Sequence, residues 1–541
     1  MRRFPVDYFH YVKTLAAFAQ YSADRVLLAT SDSTITAGEL YSNSKGLAGY
    51  LTRKGVAPGR PVAAMLVNRP AIVESFYAAL IMGSPPANVN TRYTAPEIAE
   101  ILTDCDAGAI IFEASAREQV RAAVTSRDRP IVLLEAGSPE YHTAITSPPP
   151  PERELSPKDH ILWYTGGTTG RPKGVVWEVD THYRMLWEVI KPDRRPPDPV
   201  DLARGGSRPA PTTLPASPMA HGTAMGLALN ALNGGGTTVL HEQSSFDAAA
   251  TLALIEQHRV RVLGIVGDAY ARPLLAELDT GRWAGRISSL SAISSSGAVW
   301  SPEVRAALRT HLPNISLIDN FGSTEALVSR DVDGKGFSAR AGLVVIAEDG
   351  SLVTPGSGQV GVIATSGRLP IGYLNDPVKT AAAFREVDGV RYLVIGDDAM
   401  VNDDGTIKIL GRGNACINTG GEKVWPEEVE IVVRDHPAIE DAAIVGVPDP
   451  KWGQAVTGVI HTSGEVSDAE LDAHCRALLT PYKCPKKWIR VDHVPRTYVG
   501  KPDYRAIHEQ AEKAFSVPAA TTPPTAASTA IDPTAADIKE P

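Results

Sequence analysis

Trp163–Trp177, WYTGGTTGRPKGVVW, places four glycines, three threonines and a lysine in the ten residues Thr165–Gly174, behind the apolar lead-in Ile161-Leu162-Trp163. Glycines let backbone N–H groups close on an anion, threonine hydroxyls donate to its oxygens, and the lysine adds charge. The pattern departs from G-x-x-x-x-G-K-[ST], because Gly170 is followed by Arg171-Pro172-Lys173 and no hydroxyl residue follows the lysine. It reads as a phosphate-cradling loop of another kind, with Thr165, Gly166, Gly167, Thr168, Thr169, Gly170 and Lys173 as its candidate contacts.

Outward from this loop, helical and strand patterns alternate. Thr36–Gly55 has apolar residues at Leu40, Leu47 and Leu51 and closes on glycine, as a helix does. Pro61–Val67 is a short buried strand, Ala71–Gly83 a second helix, and Ala107–Phe112 and Ile131–Glu135 are further strands. Such alternation with short connections predicts parallel sheets covered by helices. The pattern returns between Thr238 and Ile293. Ser147–Asp159 is proline-rich and reads as an extended surface connection; Lys191–Thr213, also proline-rich, reads as a surface insertion or a loop. Arg340–Gly367 carries short strands between DG and PG turns, which predicts a small antiparallel sheet or β-barrel-like subdomain. Beyond about Gly411 comes a compact α+β unit of domain size. Val517–Pro541 lacks apolar periodicity and reads as a disordered tail.

The whole chain bounds the answer further. Its 541 residues exceed one ordinary core, and 43% apolar with 21% charged residues excludes wholesale disorder. The net charge of −9 argues against a dedicated nucleic-acid binder. Four cysteines, Cys105, Cys416, Cys475 and Cys484, form no Cys-x-x-Cys pair, which argues against a disulfide framework or thiolate zinc site. The N-terminal arginines precede no apolar stretch of signal-peptide length, and no uncharged run approaches the roughly 18–20 residues of a membrane span. The expectation is a soluble cytoplasmic protein, monomer or homodimer, without a membrane or nucleic-acid partner.

Further motifs extend the signal. In order come SPMAHGTAMG (Ser217–Gly226), SSSGA (Ser294–Ala298), NFGSTE (Asn320–Glu325), GDDAMVNDDGTIKILGR (Gly396–Arg412), INTGGEKVWPEEVE (Ile417–Glu430) and PRTYVGKPD (Pro495–Asp503). With the loop above, this series resembles the adenylate-forming superfamily of acyl- and aryl-CoA synthetases, peptide-synthetase adenylation domains and luciferases, and most resembles actinobacterial fatty-acid and steroid-side-chain CoA synthetases.

The resemblance implies an α/β fold: an N-terminal domain over 1–410 of stacked α/β sheets plus the small subdomain, a mobile C-terminal domain over 411–515, and a tail over 516–541. It also implies ATP, Mg²⁺ and coenzyme A. Thr165, Thr168, Thr169 and Lys173 would hold phosphates and Glu325 the metal. Phe321 would stack on adenine beside Gly297 and Ala298, with Asn320, Gly322 and Thr324 in the same nucleotide site. Asp397 would accept from the ribose hydroxyls, near Arg412. Lys501 would bridge carboxylate and α-phosphate in the first step. Gly420, Gly421, Glu422 and Lys423 would line the acceptor tunnel after the small domain rotates. His221, Gly226, Asp268, Gly297 and Gly322 would border the acid pocket, His221 also near the thiol route.

Three positions leave the family pattern: Gly166 stands for serine, Ile395 for threonine, and the uncharged Asn414 occupies the hinge. None touches Lys501, Asp397 or Glu325, so adenylation is expected. A carboxylate–CoA ligase is the first reading. An adenylating enzyme with another acceptor or oxyacid is the alternative: an amide or carrier-protein ligase, or a diazotase activating nitrite for an aromatic amine.

Overall fold

The computed structural model describes residues 7–125, 127–165, 172–191, 195–297, 300, 302–333, 342–347, 349–412, 417–424, 426–495 and 504–515. An eight-stranded sheet runs Leu327–Val332, Ser316–Gly322, Ala292–Ser296, Val262–Ile265, Thr213–Pro215, Thr238–Val239, Val26–Ala29, Thr34–Thr36. It is parallel from Ser316–Gly322 through Val26–Ala29 and antiparallel at its edges. A seven-stranded sheet runs Gly372–Tyr373, Lys173–Glu178, His160–Thr165, Pro86–Asn88, Val62–Met65, Ala109–Phe112, Val132–Glu135.

Strand periodicity explains how these sheets stack. On Val62–Met65, Val62 and Ala64 join one buried cluster and Ala63 and Met65 another, because successive side chains leave opposite faces. The first cluster collects residues of both sheets together with the helices Tyr11–Tyr21, Ala37–Arg53 and Pro70–Met82, and so forms the layer between them. The helices Ala248–His258, Gly267–Asp279 and Pro302–His311 pack into the other cluster of the eight-stranded sheet. The helix start anticipated at Thr36 is a capping box: Thr36 N–H donates to Glu39 at 2.8 Å and Glu39 N–H donates back at 3.3 Å.

The small subdomain is an open five-stranded antiparallel sheet in which Phe384–Val387 and Ile407–Arg412 share one edge of Val390–Val401. A fourth sheet, with the helices Pro426–Arg434, Asp468–Leu478 and Tyr504–Phe515 against it, forms the C-terminal cap. The boundary expected after residue 410 cuts the strand Ile407–Arg412, which pairs through Arg412; the cap's first strand begins at Ile417.

Lys191–Thr213 is more than a surface ornament. Asp198 caps a short helix, Pro199–Ala203, through the N–H of Val200 at 2.8 Å and Asp201 at 3.3 Å, and Pro199, Leu202 and Ala203 are buried. Ala210 N–H donates to Gly234 O at 2.9 Å before the chain enters the strand Thr213–Pro215. Among the described residues, no helix is long and apolar enough to cross a membrane.

Candidate active site

Ligands of open α/β sheets gather at the carboxyl ends of parallel strands. Here both large sheets send those ends to one place: Asn88 and Thr165 from the seven-stranded sheet, and Val266, Ser296–Gly297 and Gly322 from the eight-stranded one, line a polar cleft of about 250 Å³. Asn88 locks the junction. Its side-chain amide donates to Tyr164 O at 3.0 Å and Ala220 O at 2.5 Å, while its carbonyl accepts from Tyr164 N–H at 2.6 Å. The histidine segment is thereby tied to the strand that leads into the glycine-rich loop.

Glu325 stands in a tight turn, where Ser323 N–H donates to Ala326 O at 2.7 Å. Tyr373 Oη donates to Glu325 Oε1 at 2.8 Å and aims the carboxylate. Lys173 Nζ lies 5.3 Å from the Tyr373 ring centroid. Burial, with the Lys379 ammonium beside it, lowers Lys173 to about 7 against the pull of Glu325 and Asp376. A buried cation held next to another cation is a site for a polyanion.

The cap closes one side of this cleft. Gly420 and Gly421, at φ +57° and +86°, form the two-residue turn between Ile417–Thr419 and Glu422–Val424, whose register pairs Thr419 with Glu422. Positive φ at both turn residues is the primed hairpin geometry that glycine adopts freely. Gly421 also lies so near the large lobe that a Cβ there would stand 2.8 Å from Val266 Cγ1. Glu422, buried behind the tip, receives Arg92 at 3.2 Å and His221 Nε2 at 3.5 Å, both from the large lobe. Burial pulls His221 down, yet Glu422 outweighs it and holds the imidazole above its ordinary value. Burial pushes Glu422 up, and His221 with Arg92 overcomes that and holds it low.

A second cavity of about 630 Å³ is mostly apolar. Its lining includes Gly222, Thr223, Gly226, Leu227, Asn230 and Ala231, one face of the helix Gly222–Asn233 at helical spacing, so it follows that helix for about 18 Å. Trp163, Leu186 and Trp187 form another wall, and Pro197, Leu202 and Pro209 of the proline-rich segment complete it. The two cavities share Ser217, Gly222, Thr223, Ser323 and Thr324.

The structure thus brings Thr165, Lys173, His221, Gly297, Gly322, Thr324, Glu325, Gly421, Glu422 and Lys423 to the cleft, and Gly226 and Asn320 to the apolar cavity. Asn320 also braces the adjacent strand, donating to Ser294 Oγ at 2.8 Å and Ser295 O at 2.7 Å. Asp268, Phe321 and Gly420 are absent from these linings. Asp268, expected at the acid pocket, pairs with Arg272 at 2.8 Å, one helical turn on. Phe321, expected on adenine, packs against the small sheet's core. Gly420 faces Trp452, whose ring a Cβ would meet at 3.1 Å. Asp397 and Arg412 are register partners on neighbouring strands. Gly166, Gly167, Thr168, Thr169, Gly170, Ala298 and Lys501 lie outside the described residues. Sequence reasoning missed Asn88, Arg92, Tyr373 and Tyr482, which reach the site from elements without a local motif.

A lysine-and-carboxylate cleft joined end to end with an apolar cavity suits a polyanion held beside an apolar ligand. The AMP-binding enzyme family model matches residues 15–368 and the AMP-binding enzyme C-terminal domain model residues 428–501. The chain belongs to the AMP-binding enzyme family. It is similar to the medium/long-chain-fatty-acid–CoA/3-oxocholest-4-en-26-oate–CoA ligase of Mycobacterium tuberculosis, at 37% identity over 90% of this chain and 94% of that one. It is 35% identical to the 3-oxocholest-4-en-26-oate–CoA ligase of Rhodococcus rhodochrous, over 90% and 93% of the two chains. The fold matches an amide bond synthetase from Marinactinospora thermotolerans with a TM-score of 0.78 at 25% identity, over 93% and 99% of the chains.

Proposed function

We propose that this enzyme adenylates a large, apolar carboxylic acid with ATP and transfers the acyl group to coenzyme A. A carboxylate oxygen attacks the α-phosphorus and pyrophosphate leaves; the coenzyme A thiolate then attacks the acyl carbonyl and AMP leaves. The observation that carries the reading is the shared lining at Ser217, Gly222, Thr223, Ser323 and Thr324, which joins the apolar cavity to the cleft of Lys173 and Glu325. A carboxylate at that junction has its apolar body in one cavity and its reacting oxygen at the other. The acids named for the relatives, fatty and steroid, suit a cavity of about 630 Å³ along a whole helix.

Within this reading Thr165 and Lys173 hold phosphates, Asp397 the ribose and Lys501 the reacting oxygens. The residues present fit Mg²⁺ brought in by the triphosphate: Tyr373 occupies Glu325 Oε1, leaving the second oxygen for a hard cation that keeps water and phosphate ligands. Bound there, the ion would neutralise phosphate charge. The resemblance makes the cap a moving part, serving first Lys501 and then the Gly420–Gly421 hairpin. Cys105, Cys475 and Cys484 are buried free thiols, which supports a reducing cytoplasmic setting.

The test is AMP release from ATP with fatty and steroid acids, short aliphatic acids and nitrite plus an arylamine, each with coenzyme A, with an amine, or with neither. Coenzyme A-dependent AMP release with the large acids is expected. Amine-dependent turnover without coenzyme A, or turnover on nitrite, would overturn the reading.

A further inference from the structure

The cap docks on the large lobe through a second, buried charge cluster, set behind Tyr93 and Tyr482 of the cleft wall. Lys483, in the turn after the helix Asp468–Leu478, has a side chain 3% exposed and donates to Glu97 Oε1 at 2.8 Å. It also pairs with Glu428. Thr480 Oγ1 adds a bond to Glu97 at 3.2 Å. Glu97 belongs to the large lobe, on the helix Ala95–Asp104, whose start it caps by accepting from Thr94 N–H at 2.8 Å. Glu428 belongs to the cap itself, in the first turn of Pro426–Arg434.

The two carboxylates therefore differ in role. Lys483–Glu428 lies within one domain and travels with it, whereas Lys483–Glu97 exists only while the cap is docked as observed. Losing Glu97 leaves Lys483 paired with Glu428 but removes the buried charged bond that Lys483 makes across the interface, so the contact distinguishes docked from undocked states. In this docking the cap meets the cleft through a hairpin tip that lacks side chains, Gly420–Gly421, and Gly421 itself lines the cleft.

We propose that Lys483 is a positioning residue that latches the cap, through Glu97, in the arrangement that forms the thioester. The proposal rests on the two-step reading above. It assigns the latch to the second half-reaction alone, since adenylation is complete before this docking is needed.

The test uses Glu97→Gln, which keeps side-chain length and the capping interaction, with Lys483→Met and the double variant. Acid-dependent exchange of pyrophosphate into ATP reports the first half; single-turnover thioester formation from supplied acyl-adenylate and coenzyme A reports the second. Exchange is expected to stay within about twofold of wild type while thioester formation slows about tenfold or more in each single variant. The double variant should be no slower than Lys483→Met, because the two side chains act as one contact. Equal loss in both halves, or an unchanged second half, overturns the latch. Small-angle scattering of the ligand-free protein gives a readout independent of chemistry: Glu97→Gln should widen the distribution of cap positions, and an unchanged profile also overturns the proposal. If wild type turns over no acid, the two-step reading fails, and scattering still judges the latch.

Discussion

Lys173 sits buried beside a second ammonium, with Glu325 and Asp376 only partly offsetting the cost. Burial and the neighbouring Lys379 lower it to about 7, and on the reading proposed above a triphosphate would restore the ammonium by supplying negative charge. ATP binding therefore takes up a proton between about pH 7 and the ordinary lysine range. Affinity falls as pH rises through that window, by up to about tenfold per pH unit. Calorimetry of ATP binding at pH 8 in buffers of different ionisation enthalpy should show substantial proton uptake, and Lys173→Met should abolish it. Gly421 makes a different demand, on conformation and space. At φ +86°, with a Cβ 2.8 Å from Val266 Cγ1, Gly421→Ala should destabilise the docked hairpin by about 1–2 kcal/mol and slow thioester formation about 5–30-fold, leaving adenylation intact. Val266→Ala should return the steric part, as measured by single-turnover rates. What could be read beforehand at this scale followed motif density. Glu325, Lys173 and Gly421 sit in strings whose composition has a chemical meaning. Tyr373 lies in a two-residue strand and meets Glu325 across 48 positions of sequence, which no local pattern announces.

Elements were legible where periodicity and punctuation agreed. Thr36 and Glu39 spell the start of a helix and Gly83, in the left-handed conformation, ends another. Lys191–Thr213 reads as a loop because proline usually breaks elements, yet Pro199 occupies the first turn of a helix behind its Asp198 cap, a place proline suits. Leu202 is the buried aliphatic residue that gives the segment an inside, whereas Val200 faces solvent. This leucine and the helix Gly222–Asn233 line the same apolar cavity, whose width they bound together. Gly226 sets that width midway along, where a Cβ would approach Leu186 Cδ2 to 3.0 Å. Gly226→Leu should therefore obstruct the distal half. The expected outcome is a 10–100-fold fall in kcat/KM for steroid or long-chain acids with little change for short ones, measured as AMP release across a chain-length series. A uniform fall across chain lengths would mean that the cavity is not the acid's seat.

At the scale of the molecule, two proton-linked contacts hold the cap in its observed docking, and both respond to pH with the same sign. His221 is held above its ordinary value by Glu422 against burial, with Arg92 beside the pair. Glu428 is pushed up to about 7, first by burial and further by Glu97 and Glu100, with Lys483 offsetting part of it, and its Oε2 is buried without a hydrogen-bond partner. Undocking takes Glu422 from His221 and Glu97 from the Lys483 cluster, so each pKa relaxes downward. Docking therefore binds protons at both sites. A group whose pKa is raised in one state favours that state below its relaxed pKa and loses the advantage as pH climbs through the raised one. Cap docking should accordingly weaken as pH climbs from about 4.5 through 7, which is Glu428's share, and on above 6.5, which is the imidazole's share. Scattering of the ligand-free protein across that range is the suitable measurement, because activity would mix in the titration of Lys173. A cap population that loosens with rising pH is expected. His221→Gln should remove the imidazole's share and Glu428→Gln the carboxyl's, so that the double variant shows a nearly flat profile. A wild-type profile that tightens with rising pH would mean that neither contact governs the docked state.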